Sequence, residues 1–252
     1  MAKTPAVADE QITRALALYA GMVGHVLTDP QRWLGLDDEP PPTAAFPLKA
    51  LDALRDRALG KANPTSAAWA QQPVEKRVQW WVTRIGISAG LAAAAPRLAG
   101  ALSDRVPLQA ALGASAAGLA VCATAREHGR TAPADWVPLL AQVLFDREIA
   151  AEPEVPDAEE SERLLVEEPD EAEAPSSGPV AALGRGAARA ALTVWQLART
   201  FLELQRLLDE RPRGSFLTRA VGKLPVVGVA GGWLDERGGI TKASRQTVKL
   251  LA

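Results

Sequence analysis

From Val106 to Ala125 the chain carries no charged residue, and most of that segment is Ala, Gly and Ser. The run is about long enough to cross a bilayer. Its only larger aliphatic residues are Val106, Leu108, Leu112, Leu119 and Val121, so transfer from water to lipid is weakly favoured. The segment before it, Ile85 to Leu102, is interrupted by Pro96 and Arg97. Spanning would place a charge and a broken hydrogen bond near mid-membrane. The sequence therefore predicts a helical hairpin, on either side of Asp104, that is buried or re-entrant. Gly113, Ala114, Ala117 and Gly118 give it a smooth surface that other helices can approach closely.

Helical periodicity dominates elsewhere, and no run alternates β-branched and polar residues as a strand would. The expected fold is all-α: a helical bundle with a central Ala/Gly-rich apolar helical hairpin and a disordered acidic linker. At 252 residues the chain is long enough to bury a core without disulfides. Its single cysteine, Cys122, lies in apolar sequence and reads as a buried, inert thiol in a reduced, cytoplasmic setting. No apolar stretch follows a basic start at the N-terminus, so no secretory signal is read.

Four regions follow from the punctuation. Residues 1–64 hold a first helix after Thr4-Pro5, with Ile12, Leu16, Tyr19, Val23 and Val26 as its apolar stripe. Asp29-Pro30 ends it, and a Pro-rich connector from Asp37 to Pro47 leads to a short charged helix. Residues 65–150 form a compact unit: a helix through Trp69, Val74, Val78 and Val82, then the hairpin, then a helix over Ala134 to Ile149 capped by Thr131. Residues 151–178 hold eleven acids and one base, Arg163, a composition that reads as a disordered linker. The whole chain is −2 and this segment −10, which leaves a body of +8. The Leu164-Leu165-Val166 island within it is either a short docking peptide or chance apolar residues in a solvated tether. Residues 179–252 hold a long helix from Pro179 to Glu210, a Gly-rich run, and a basic helix packing on the core.

That last helix places Ile240, Ala243, Thr247, Val248 and Leu251 on one side and Lys242, Arg245 and Lys249 on the other. Trp80 and Trp81 stand before the apolar hairpin, and Trp233 closes the Gly-rich run ahead of Arg237. Tryptophan favours such apolar-to-polar borders in headgroup regions. It also fills cores beside Ala and Gly. Trp80, Trp81, Trp233, Arg237, Lys242, Arg245 and Lys249 are therefore the candidate membrane- or partner-contact residues.

The search for reaction chemistry returns no catalytic set. His25 and His128 have no ligand at metal-binding spacing, and no metal or cofactor is expected. Gly222-Lys223 is followed by Leu224 where a phosphate loop needs Ser or Thr. Asp104, Asp146 and Asp235 read as turn or helix-end residues. The basic residues are spread over several helices with no aromatic platform, so nucleic acid is not an expected partner.

Two blocks carry a family resemblance. One runs from Val78-Gln79-Trp80-Trp81 to Ser88-Ala89-Gly90, with Val106-Pro107-Leu108-Gln109. The other is Gly222, Lys223, Pro225, Gly228, Gly231 and Gly232, followed by Asp235. In these blocks the chain resembles the EcsC family of bacterial helical proteins. The resemblance implies an all-helical protein tied by name to an ABC-transporter operon, with no reaction to carry over. The expected function is non-enzymatic, with peripheral attachment to an anionic membrane surface through the hairpin and the basic C-terminal helix. The expected location is the cytoplasm, with peripheral attachment on the inner face of the cell membrane. The alternative is a soluble scaffold that engages a protein partner through the 179–210 helix and the acidic linker. An enzyme would most plainly use Lys223, Trp233 and Asp235.

Overall fold

A computed structural model describes residues 5–34, 63–98, 106–149, 153–166, 185–209 and 232–252. Among them every regular element is helical: α1 (Pro5–Thr28), α2 (Pro30–Leu34), α3 (Val74–Leu98), α4 (Val106–Glu127), a 3-10 turn (Pro133–Asp135), α5 (Trp136–Phe145), α6 (Ala158–Val166), α7 (Arg185–Asp209) and α8 (Gly232–Leu251). The all-α expectation holds. The Pro-rich connector, the short charged helix expected after it and Asp104 lie outside the described residues.

Helix α4 is the axis of the bundle, touched by α1, α3, α5, α7 and α8. Its small residues explain that position. Ala111, Leu119, Ala120, Val121, Cys122, Ala123 and Ala125 are all wholly buried, which a helix achieves only when neighbours approach on every side. Gly118 marks the closest crossing: a Cβ there would lie 2.9 Å from two atoms of Tyr19 on α1. The Tyr19 hydroxyl donates to the Ser115 carbonyl at 2.5 Å, so the phenol brings its polar atom into the core with a partner. Burial pushes the Tyr19 phenol and the Cys122 thiol well above their ordinary pKa values.

Short α2 is held by its C-terminal carbonyls, which a five-residue helix cannot satisfy internally. Arg189 and Thr193 of α7 donate to the carbonyls of Arg32 and Trp33, at 3.3 and 2.7 Å. Buried Arg84 of α3 donates to that of Leu34. Arg126 similarly caps α1 at the Leu27 carbonyl, and burial lowers its pKa.

Helix α4 ends at Gly129, whose φ of 88° suits a residue without Cβ, with Arg130 N–H reaching back to the Ala125 carbonyl at 2.9 Å. Asp146 ends α5 in the left-handed region at φ 55°, the helix-end role expected of it.

Several expectations need correcting. Trp69 sits in the turns before α3, which starts only at Val74. Pro96 does not end α3, which runs on to Leu98. Thr131 caps nothing: Ala132 is the residue before the 3-10 turn, with no side-chain cap.

The acidic segment departs most from expectation, because α6 lies within it and packs on α1 and α7. Asp157 caps α6 by accepting from Glu160 N–H at 2.9 Å, Glu159 and Glu160 sit in the first turn, and Arg163 sits in the last. These placements suit the helix dipole. Over Ala158–Val166 the segment is thus a docked helix, not a disordered linker. Leu165 is its apolar anchor, 4% exposed.

Candidate functional site: the basic face of the C-terminal helix

Helix α8 lies against α3, α4 and α5. Its orientation is set by Ile240, Ala243 and Thr247, all buried, with Val248 and Leu251 half-buried beside them. Ser244 adds a polar register mark: its hydroxyl pairs with that of Thr124 on α4 at 2.8 Å, inside the core. The Thr247 hydroxyl returns to the Ala243 carbonyl at 2.9 Å. A rotation of α8 by one residue would carry Ser244 off the core face and take this partner from the buried Thr124 hydroxyl, a costly change.

With that face fixed, Lys242, Arg245, Gln246 and Lys249 are exposed on the other. From Gly238 to Ala252 the helix has three cationic side chains and no acid. A groove of about 560 Å3 runs along this face, lined by Gly238, Thr241, Lys242, Arg245, Gln246 and Lys249. Lys249 sits in the last turn, where a cation suits the negative end of the helix dipole, and neither Arg245 nor Lys249 is ion-paired to another described residue.

The other candidate contact residues fare differently. Trp80 and Trp81 are 7% and 1% exposed, so they are core residues and not a surface pair. Their rings meet edge to face at 5.0 Å, and Trp69 closes an aromatic triad. Trp81 also donates its indole N–H to Glu127 at 2.8 Å. Trp136 is buried as well, donating to the Arg130 carbonyl at 2.6 Å.

Gly222, Lys223, Pro225, Gly228 and Gly231 lie outside the described residues. Gly232, Trp233, Asp235 and Arg237 fall in the first turns of α8; their side chains lie outside the described part of the structure. The hairpin is not a surface element along α4, and no helix of the described residues is long and apolar enough to cross a membrane. The apolar stripe of α7, with Ala191, Val194, Ala198 and Phe201, is filled by the bundle's own core.

Among the described residues no group of His, Cys, Asp and Glu is arranged to hold a metal ion. His128 is exposed just past α4, where its backbone N–H bonds the Thr124 and Ala125 carbonyls. Sequence reading missed the pairing of Glu127 with Arg77 at 3.1 Å and the approach of Glu162 to Arg32 and His25 at 2.6 and 3.8 Å. Neither has a spacing signal, because the partners are brought together by tertiary packing. No protein-family model matches this chain, and neither a curated protein nor a solved structure matches it.

Proposed function

We propose that this chain is a non-enzymatic helical protein that attaches peripherally to anionic membrane surfaces through the outward basic face of α8. The observation that carries the reading is the division of that helix: Ile240, Ala243 and Thr247 are turned into the core while Lys242, Arg245 and Lys249 are exposed. Because the apolar side is already used in packing, attachment is electrostatic, without insertion of the hairpin. This narrows the expectation drawn from the sequence. The resemblance to the EcsC family agrees with work at a membrane but supplies no mechanism.

Each basic residue held near an anionic leaflet contributes about 1 kcal/mol. Three give roughly a hundredfold in affinity. Co-sedimentation of the full chain with vesicles of phosphatidylcholine alone, or with added phosphatidylserine, tests the reading. Binding to the anionic vesicles alone, reduced roughly a hundredfold in the K242Q/R245Q/K249Q variant, is the expected result. Equal binding by wild type and variant overturns it, and no vesicle binding by either turns the basic face toward an acidic protein partner.

A further inference from the structure

Helix α6 is attached to the bundle unlike any of its long neighbours. It has nine residues, too few to persist alone. Only Ser161 and Leu165 of those nine are buried. The Ser161 hydroxyl is enclosed without a hydrogen-bond partner among the described residues, a cost carried by the docked state. Close approach depends on Gly21 of α1, where a Cβ would lie 2.5 Å from Pro156 Cγ and 3.1 Å from Ser161 Oγ.

What holds the helix besides buried Leu165 and half-buried Leu164, which packs beside it on the core, is charge. A Glu162 carboxylate oxygen lies 2.6 Å from an Arg32 guanidinium nitrogen and its other oxygen 3.8 Å from His25 Nε2. The Arg32 guanidinium lies 4.7 Å above the Trp33 ring, and the His25 ring meets that ring edge to face at 5.5 Å. The carboxylate is thus received by a pre-set pair of nitrogen groups on α1 and α2. By contrast α4, at the axis, is buried from Ala111 to Ala125 at every position but Gly113. Segments with few buried apolar contacts open separately from the core, and the docked segment meets that condition.

We propose that α6 is a detachable strap: it opens from α1 as a unit while the bundle stays folded, and Glu162, set between Arg32 and His25, is its ionic latch. Opening uncovers the Gly21 face of α1 and the site that received Leu165.

The chain carries its own reference for this test, because Cys122 is the single cysteine and is buried in α4. A Ser161→Cys variant of the full chain places a second, nearly isosteric thiol under the strap. Labelling by a thiol reagent, with each rate divided by that of the same thiol in denaturant, is followed by peptide mapping. The strap predicts that Cys introduced at 161 reacts at least about tenfold faster than Cys122. Adding Glu162→Gln raises only the rate at 161, by about two- to fivefold, and about 1 M NaCl does the same to the variant that keeps Glu162.

Equal rates at the two thiols overturn the strap, since they mean that it opens only with the whole bundle. A fast thiol at 161 that ignores both Glu162→Gln and salt overturns the latch. If Ser161→Cys does not fold, amide hydrogen exchange of the native chain and of Glu162→Gln makes the same comparison, between residues 158–166 and α4. There too, common rates overturn the strap and a rate insensitive to Glu162 overturns the latch.

Discussion

Gly118 on α4 faces the Tyr19 ring so closely that a Cβ would sit 2.9 Å from the phenol oxygen. The same ring donates its hydroxyl to the Ser115 carbonyl one turn earlier on α4. The crossing of α1 over the bundle axis therefore needs both the missing side chain and the hydroxyl. Gly118→Ala is expected to lower stability by about 1–3 kcal/mol through overpacking, despite the helix propensity gained. Tyr19→Phe is expected to cost about 1 kcal/mol. Urea denaturation of both variants measures this, and a neutral or stabilised Gly118→Ala would contradict the close crossing.

Glu127 ties the end of α4 to α3, with one oxygen 2.8 Å from the Trp81 indole nitrogen and the other 3.1 Å from Arg77 Nε. Its side chain is 7% exposed and that of Arg77 19%. Removing one member of such a pair strands the other. Glu127→Ala is expected to destabilise by about 2–3 kcal/mol, and Glu127→Gln by less because the amide oxygen still accepts from Trp81. Denaturant midpoints compare the two, and equal losses would mean that the charge carries the whole effect.

Alkaline pH should weaken the core. Burial raises the pKa of the Tyr19 phenol and the Cys122 thiol, so the folded state holds protons that the unfolded state gives up. Their contribution is complete below the unfolded values, about 8.5 for Cys and 10 for Tyr, and is lost as pH rises from there toward the raised folded values. The urea midpoint should fall above about pH 8.5. The fall over the first pH unit or so should be shallower in Cys122→Ala; identical slopes would remove the thiol from the account.

Salt distinguishes surface attraction from insertion at the membrane. The Debye length shrinks from about 10 Å at 0.1 M to about 3 Å at 1 M, so binding through Lys242, Arg245 and Lys249 should vanish at the higher concentration. The glutamine triple variant should keep the melting temperature of the parent within a few degrees, because its three positions are exposed. Vesicle binding that survives 1 M salt would favour apolar insertion over the basic face.

How the sequence yields these features differs from element to element. The stripe Ile12, Leu16, Tyr19, Val23 and Val26 was legible because all five recur at helical spacing, and all five are buried. The apolar and basic sides of α8 were legible for the same reason. Helix α6 was hidden: its acidic surroundings dominate the composition, although Asp157 and the acids of the first turn form a helix-start signal that could have revealed it. Trp80 and Trp81 were ambiguous, since an indole suits both a membrane border and a core.

By itself the sequence determined that the chain is all-α, that its Ala/Gly segment is a helix fit for close approach, and which side of α8 is basic. These are local properties, fixed by residue type and spacing along a helix. Only the tertiary structure decided that α4 is the axis, that the two adjacent tryptophans turn inward, and that Glu162 meets Arg32 across a separation of 130 residues. Those outcomes depend on which helices share a volume, and close packing selects among arrangements that the periodicity of any one helix leaves equivalent.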